Sequence, residues 1–314
     1  MKKLLIYLFA LLVVASCAHK DLCYDHSHTV DVEVFFDWRN APHAAPASMS
    51  LYLHPASGEE ALRYDFANRM GGTIRARQGT HWAFCLNSDA ESVFFKDEGD
   101  SFELTTGNAS VISGFMSLGV EAPRARGTEQ ERVALAPDTL WCDHLEDRIH
   151  LTEGGNTIVL YPELSVCVYT VEIRNVKNLK YVMELNGTLS GLAGGLHVER
   201  NEVSEELVTV PFPLPLPEDR SGTVIEGSFL TFGHRPGTPH ERMHGHKIVV
   251  YAMLLDGSKW FYEEDVTSQI PTDGNPRRVR IIIDELPLPK PIVNGGGFQP
   301  KVDEWQQVDI ELDM

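Results

Sequence analysis

The fold is decided by a stretch in which apolar and acidic residues alternate: Thr29-Val30-Asp31-Val32-Glu33-Val34-Phe35-Phe36-Asp37-Trp38. Successive side chains of a β-strand point to opposite faces of the sheet, so alternation with a period of two indicates one buried and one solvated face. The stretch is therefore predicted to be a half-buried strand.

Short β-rich runs separated by turn-forming residues continue along the whole chain. In the first half they are residues 48–54, 81–86, 92–95, 101–105 and 157–161. In the second half they are residues 164–173, 182–189, 207–210, 223–232, 247–255, 278–283 and 308–312. No window of a dozen residues has a convincing helical period, so the pattern predicts an all-β sandwich fold.

Two segments interrupt this series. Residues 120–156 are poor in apolar runs and contain several glycines and prolines, which predicts a long loop or linker and a domain boundary near residue 155. Residues 211–217, Pro-Phe-Pro-Leu-Pro-Leu-Pro, must be extended and are predicted to form a crossover or a sheet edge. The predicted organisation is a signal peptide (1–16), a stalk (17–27) and domains over 28–155 and 156–314.

The N-terminus has the pattern of a bacterial lipoprotein signal. Lys2 and Lys3 precede an apolar run over residues 4–14, which is shorter than the roughly 20 residues that span a bilayer. Small residues then lead into Cys17, which predicts cleavage before Cys17 and its acylation. The alternative is an ordinary secretory peptide cut nearby. Because Ala18 follows rather than an aspartate, we expect the outer membrane.

The charge and cysteine content of the chain narrow the range of possible functions. The chain has 27 Lys+Arg and 45 Asp+Glu, a net charge of −18, which argues against nucleic acid and against a polybasic membrane contact. Beyond Cys17, the cysteines Cys23, Cys85, Cys142 and Cys167 have no metal-type spacing, and the sequence does not choose among their pairings. Cys85 and Cys167 lie in strand-like runs and are predicted to be buried thiols.

One motif resembles a zinc-protease site, because His240-Glu241-Arg242-Met243-His244 matches HExxH. That motif needs a helix to aim both imidazoles, but Pro236, Gly237 and Pro239 precede it and strands follow closely. We interpret it as a loop and keep the metalloprotease as a remote alternative. The sequence otherwise predicts no enzyme, no cofactor and no metal.

Several stretches resemble the fimbrillin-like surface lipoproteins of Bacteroidales: residues 169–173, 186–195, 229–233 and 265–270, together with the start (17–26) and the end (287–298). The resemblance covers most of the mature chain and implies two tandem transthyretin-like, Greek-key β-sandwich domains. It also implies surface exposure on the outer membrane, in a role as a fimbrial anchor, accessory or adhesin subunit, with fimbrial subunits as partners through strand addition. A lipid kept on Cys17 favours an anchoring or accessory role over a shaft role.

The alternative function is a glycan-binding lipoprotein of a nutrient-uptake system. β-Sandwiches can bind sugars through exposed aromatic rings, and the chain has five tryptophans: Trp38, Trp82, Trp141, Trp260 and Trp305. Two exposed coplanar tryptophan rings would favour this alternative, whereas an open sheet edge beside an apolar groove would favour the fimbrial one. Separately, Asp138-Thr139-Leu140 matches the acceptor for O-glycosylation in Bacteroidales, which makes Thr139 a candidate site.

Overall fold

The first strand, β1 (Thr29–Phe36), has the two-faced pattern predicted from its sequence. The structure is a computed structural model that describes residues 28–96, 102–110, 122–218, 223–237, 245–273, 276–291 and 305–308. The three valines of β1 and Phe36 are buried, whereas Asp31, Glu33 and Phe35 face solvent. Burying each of these large apolar side chains contributes roughly 1.5–3 kcal/mol.

The described residues form strands joined by turns and three short 3-10 helices (Trp38–Asn40, Leu179–Tyr181 and Thr267–Gln269). Up to residue 164 the strands are β1, β2 (Met49–Pro55), β3 (Leu62–Phe66), β4 (Gly71–Arg77), β5 (Gly79–Asn87), β6 (Val93–Phe95), β7 (Glu103–Thr106), β8 (Arg132–Val133), β9 (Trp141–His144), β10 (Ile149–Leu151), β11 (Asn156–Leu160) and β12 (Glu163–Leu164). They continue as β13 (Cys167–Ile173), β14 (Val176–Lys177), β15 (Val182–Ala193), β16 (Gly195–His197), β17 (Glu202–Val203), β18 (Leu207–Pro213), β19 (Ile225–Thr231), β20 (Lys247–Leu254), β21 (Lys259–Asp265), β22 (Arg278–Ile283), β23 (Leu286–Pro287) and β24 (Trp305–Gln307). The predicted all-β class is confirmed.

A first unit is formed by two facing sheets. One has the order β11-β1-β4, and the other has the order β12-β9-β5-β2-β3. Their inner faces bury one apolar cluster, to which β1 contributes Val32 and Val34, β2 contributes Leu51 and Leu53, and β11 contributes Ile158. This two-layer arrangement is a β-sandwich, because each sheet buries one face against the other.

The same strand arrangement occurs again in a second unit. Its sheets have the orders β19-β13-β22 and β24-β21-β20-β15-β18-β8. In each unit the central strand, β1 or β13, has an antiparallel neighbour on one side and a parallel neighbour on the other. The facing sheets share the order β3-β2-β5-β9 and β18-β15-β20-β21. We propose that each repeat is one domain, as the resemblance implied.

The chain passes from the first unit to the second at Ser165 and Val166. β12 pairs with β9 of the first unit, whereas β13 is central in the second unit. The backbone N–H of Ser165 donates to the carbonyl of Leu140 at 2.8 Å, and Val166 is fully buried. Because β11 also belongs to the core of the first unit, we propose the boundary here, ten residues beyond the position estimated from sequence.

Elements of the first half also enter the sheets of the second half. β7 pairs with β16, and β8 pairs in parallel with β18. A third apolar cluster lies between the units and includes Phe84 and Leu104 from the first half and Leu196 and Phe232 from the second. The two repeats are therefore joined by paired backbone and by a shared core.

Two predictions about local structure need correction. The described part of residues 120–156 is not one continuous loop, because β8, β9, β10 and the first residue of β11 interrupt it. The predicted strand over 164–173 is interrupted where the chain changes sheets, so only β13 belongs to the second unit. The proline-rich segment is confirmed as an edge, because β8 pairs with β18 only at Val208 and Thr209 and leaves Pro211 and Pro213 uncovered on that side.

One glycine allows the closest backbone approach in the first unit. Gly71, at the start of β4, has φ of +99° and lies opposite Phe35 of β1. A Cβ atom at this position would collide with the carbonyl oxygen of Val34. Only glycine combines this left-handed backbone with such proximity at low cost.

Candidate functional site

The predicted lipid site, Cys17, lies outside the described residues. Thr29, where β1 begins, follows it by twelve positions in the sequence. No helix in the part of the chain that the structure describes is long and apolar enough to cross a membrane. Acylation of Cys17 therefore stays a prediction.

The HExxH residues His240, Glu241 and His244 also lie outside the described residues. The two histidines that border this segment, His234 and His246, are buried. His234 contacts the hydroxyl of Tyr169 through Nδ1 at 2.6 Å and the carbonyl of Pro271 through Nε2 at 2.8 Å, which occupies both ring nitrogens. In the residues that the structure describes, no group of three or more His, Cys, Asp or Glu side chains is placed to hold a metal.

Of the four cysteines beyond Cys17, the structure describes three, and Cys23 is not among them. Cys85, Cys142 and Cys167 are buried thiols, as predicted for Cys85 and Cys167. Burial raises the pKa of Cys142 and of Cys167 to about 12. Because the thiolate is the reactive form, these cysteines are unsuited to nucleophilic chemistry near neutral pH.

The tryptophans do not form the exposed coplanar pair that would favour the glycan-uptake alternative. Trp38 is buried and the other four are only partly exposed. Trp38 and Trp141 contact each other with their rings at 80°. No pair of exposed coplanar tryptophans exists, so the specific feature sought for the glycan alternative is missing.

Thr139, the glycosylation candidate, lies in an irregular extended segment, and its side chain is exposed. The neighbouring Asp138 carboxylate accepts hydrogen bonds from the backbone N–H groups of Glu91 and Ser92, both at 2.7 Å. Asn87 donates to the carbonyl of Thr139 at 3.1 Å. The segment is thus held in place while the Thr139 hydroxyl remains open to a transferase.

We expect Thr139→Ala to remove a glycan from protein purified from its native host. The measurement is intact mass, compared between the wild type and the variant. Thr152→Ala is a matched control, because Thr152 is an exposed threonine outside such a motif. An unmodified wild-type mass, or a glycan mass that persists in Thr139→Ala, would contradict the prediction.

A concavity lies where the two units meet, and we call it the junction cleft. Its first cavity, of about 320 Å3, is lined by Asn40, Asp143, His144 and Tyr161 from the first unit and by Asn201 from the β16–β17 turn. A second cavity, of about 410 Å3, shares Asn40 and Glu163 with the first. Sequence analysis missed these residues, because nothing local connects positions so far apart in the chain.

The wall of the first cavity is fixed by direct contacts. The backbone N–H of Tyr161 donates to Oδ2 of Asp143 at 2.6 Å, and burial raises the pKa of that carboxyl group. The Arg39 guanidinium lies 4.8 Å from the centre of the Tyr161 ring, within the range of a cation–π contact. Between the cavities, Glu163 forms an ion pair with Arg277 at 2.7 Å.

Open sheet edges are the second candidate feature. β11 and β22 are the outer strands of their sheets, and neither has another strand on its outer side among the described residues. At Ile282 the edge of β22 is closed by Gln269, whose side chain donates to the carbonyl at 2.9 Å and accepts from the N–H at 2.8 Å. An open edge can take up an extended segment of another chain.

The comparisons with known proteins agree with this architecture. Residues 16–213 match the family described as Domain of unknown function (DUF5119). The chain belongs to this family. The matched region of the DUF5119 family begins one residue before Cys17 and ends with β18, so it includes the predicted acylation site and all of the first unit.

Solved structures with a similar fold come from Bacteroidales. A "putative adhesin" from Bacteroides ovatus has a TM-score of 0.59 and 20% identity, over 94% of this chain and 98% of that one. The fimbrial anchor protein Mfa2 from Porphyromonas gingivalis is similar over 81% of this chain and 90% of that one, with 11% identity and a TM-score of 0.48. A comparison with curated proteins found no match. The B. ovatus structure thus confirms the fold that the resemblance to fimbrillin-like proteins implied.

Proposed function

We propose that this DUF5119 protein is a lipid-anchored surface protein of the outer membrane that acts as a fimbrial anchor, accessory or adhesin subunit without catalytic activity. The observation that carries the proposal is the position of β1. The first described strand after Cys17 is the central strand of its sheet, between β4 and β11, so a lipid on Cys17 would connect through a short stalk to the core of the first unit.

Two further observations support the proposal. The B. ovatus protein that shares the fold over nearly the whole chain is named for adhesion. The open edge of β11, and the part of the β22 edge that Gln269 does not occupy, offer backbone to which a fimbrial subunit could add a strand. A subunit that keeps its lipid is suited to the base of a fimbria or to independent display, because the acyl chains hold it at the membrane.

The test is co-purification from the native host after reversible cross-linking on intact cells. We expect the protein to be recovered with polymeric fimbrial material. The Cys17→Ala variant is the control, because without its lipid it should leave the membrane and should no longer be recovered with fimbrial material. Recovery with a glycan-uptake complex and without fimbrial subunits would contradict the fimbrial part of the proposal.

A further inference from the structure

One exposed aromatic side chain, Tyr161, lines the junction cleft. In the residues that the structure describes, three aromatic side chains are exposed: Phe35 at 49%, Phe94 at 51% and Tyr161 at 36%. Phe35 lies directly opposite Val159 of β11, and Tyr161 follows Val159 by two positions, which places both aromatics toward the outer face of the same sheet. Tyr161 also lines the first cavity.

Polar side chains converge on the other walls of this cavity. Asn40 lies at the end of a 3-10 helix, His144 at the end of β9 and Asn201 in the β16–β17 turn, so both units contribute. Asn201 has φ of +52°, a left-handed conformation that asparagine tolerates well. Carboxamide groups offer both donors and acceptors, so the two asparagines can bind hydroxyl groups in either role.

Charge in the cavity decides the class of ligand. Asp143, Glu146 and Glu163 line it. Arg277 pairs with Glu163, and the Arg39 guanidinium beside Tyr161 pairs with Asp37, so both nearby cations already have a carboxylate partner. Bringing an anionic group beside unpaired carboxylates is electrostatically unfavourable, which argues against phosphate, sulfated or sialylated ligands. A neutral polyhydroxyl ligand suits the cavity, because hydroxyl groups can donate to carboxylates and to the Asn40 carbonyl.

We propose that the junction cleft binds a neutral oligosaccharide, with one sugar ring against Tyr161 and its hydroxyl groups bonded to Asn40, Asp143 and Asn201. Sugar rings carry apolar C–H faces that pack on aromatic rings. The first cavity, at about 320 Å3, lies in the range of roughly 300–1,000 Å3 that small-molecule sites occupy. The second cavity, lined by Pro42 and Trp141, continues past Asn40 and gives room for a further sugar.

This inference rests on the proposed surface role, since it names the class of target that a displayed adhesin would hold. The two proposals are separable, because membrane attachment and recovery with fimbriae are measured without any glycan. If the protein is anchored at the membrane but does not bind neutral glycans, only the inference about the junction cleft is contradicted.

The experiment uses the full-length protein in detergent on a printed array of neutral and sialylated oligosaccharides, followed by calorimetric titration of the best neutral binder. We expect neutral members to be bound, and Tyr161→Ala and Asn40→Ala each to lower the affinity about tenfold. Tyr161→Phe should stay within about threefold of the wild type, because the ring is retained.

Phe94→Ala is the matched control. Phe94 is similarly exposed but lies on β6 and lines neither cavity of the cleft. Unchanged melting temperatures would show that the cleft variants fold. Binding of no neutral member, binding confined to sialylated members, or equal affinity for wild type, Tyr161→Ala and Asn40→Ala would each overturn the inference.

Discussion

Replacing Cys17 with alanine is expected to release the protein from the outer membrane completely. The anchor predicted at Cys17 consists of hydrocarbon chains, and each buried CH2 contributes about 0.8 kcal/mol to membrane attachment. With 27 Lys+Arg against 45 Asp+Glu, the chain is acidic, so electrostatic attraction to anionic lipids is not expected to substitute for them. Fractionation of cells that express the variant, followed by a high-salt wash, should move the protein from the membrane pellet to the soluble fraction.

Cys23→Ala is the matched control for this experiment. Cys23 also lies in the N-terminal region, six positions after Cys17, but outside the lipoprotein signal. The Cys23→Ala variant should remain in the membrane pellet, as the wild type does. Cys17→Ala protein that still sediments with the outer membrane after the wash would refute the lipoprotein assignment, and with it the proposed anchoring role.

The second large effect is expected for Gly71→Ala, which should destabilise the first unit by about 3–5 kcal/mol. The added Cβ collides with the Val34 carbonyl, and alanine is strained at φ of +99°. Relief requires β4 to move away from β1, which breaks their antiparallel pairing. Urea unfolding should show a lower midpoint for the transition of the first unit.

Gly58→Ala separates the two causes. Gly58 has φ of +84°, but a Cβ there would meet nothing within 4 Å. It therefore reports the cost of left-handed backbone alone, about 1 kcal/mol. If both variants lost the same small amount of stability, the close approach of Gly71 to Val34 would not be a constraint on the fold.

The sequence predicted strands well wherever burial is patterned along the strand itself. The alternating apolar residues of β1 and the continuous apolar run of β20 predicted these two strands, and the structure contains both. β4 was missed because it begins with two glycines and buries only Ile74 and Ala76. β9 and β10 were missed because each is only three or four residues long and lies among turn residues.

The candidate site was much harder to predict than the strands. The sequence directed attention to the tryptophans and to the HExxH residues, each of which forms a recognisable local pattern. The junction cleft instead depends on three-dimensional placement: Asn40, Tyr161 and Asn201 come from separate connections of two units. Asparagine and tyrosine at such positions look like ordinary turn residues until the units are joined.

The position of β1 also determines how the molecule would respond to a mechanical load. Its register pairs five residues with β11 and seven with β4. A pull on Thr29 directed along the strand axis would load these hydrogen bonds together in shear instead of opening them one after another. A protein attached to a cell through its N-terminus and pulled outward by a bound target would thus transmit tension along the direction in which its first sheet resists separation most strongly.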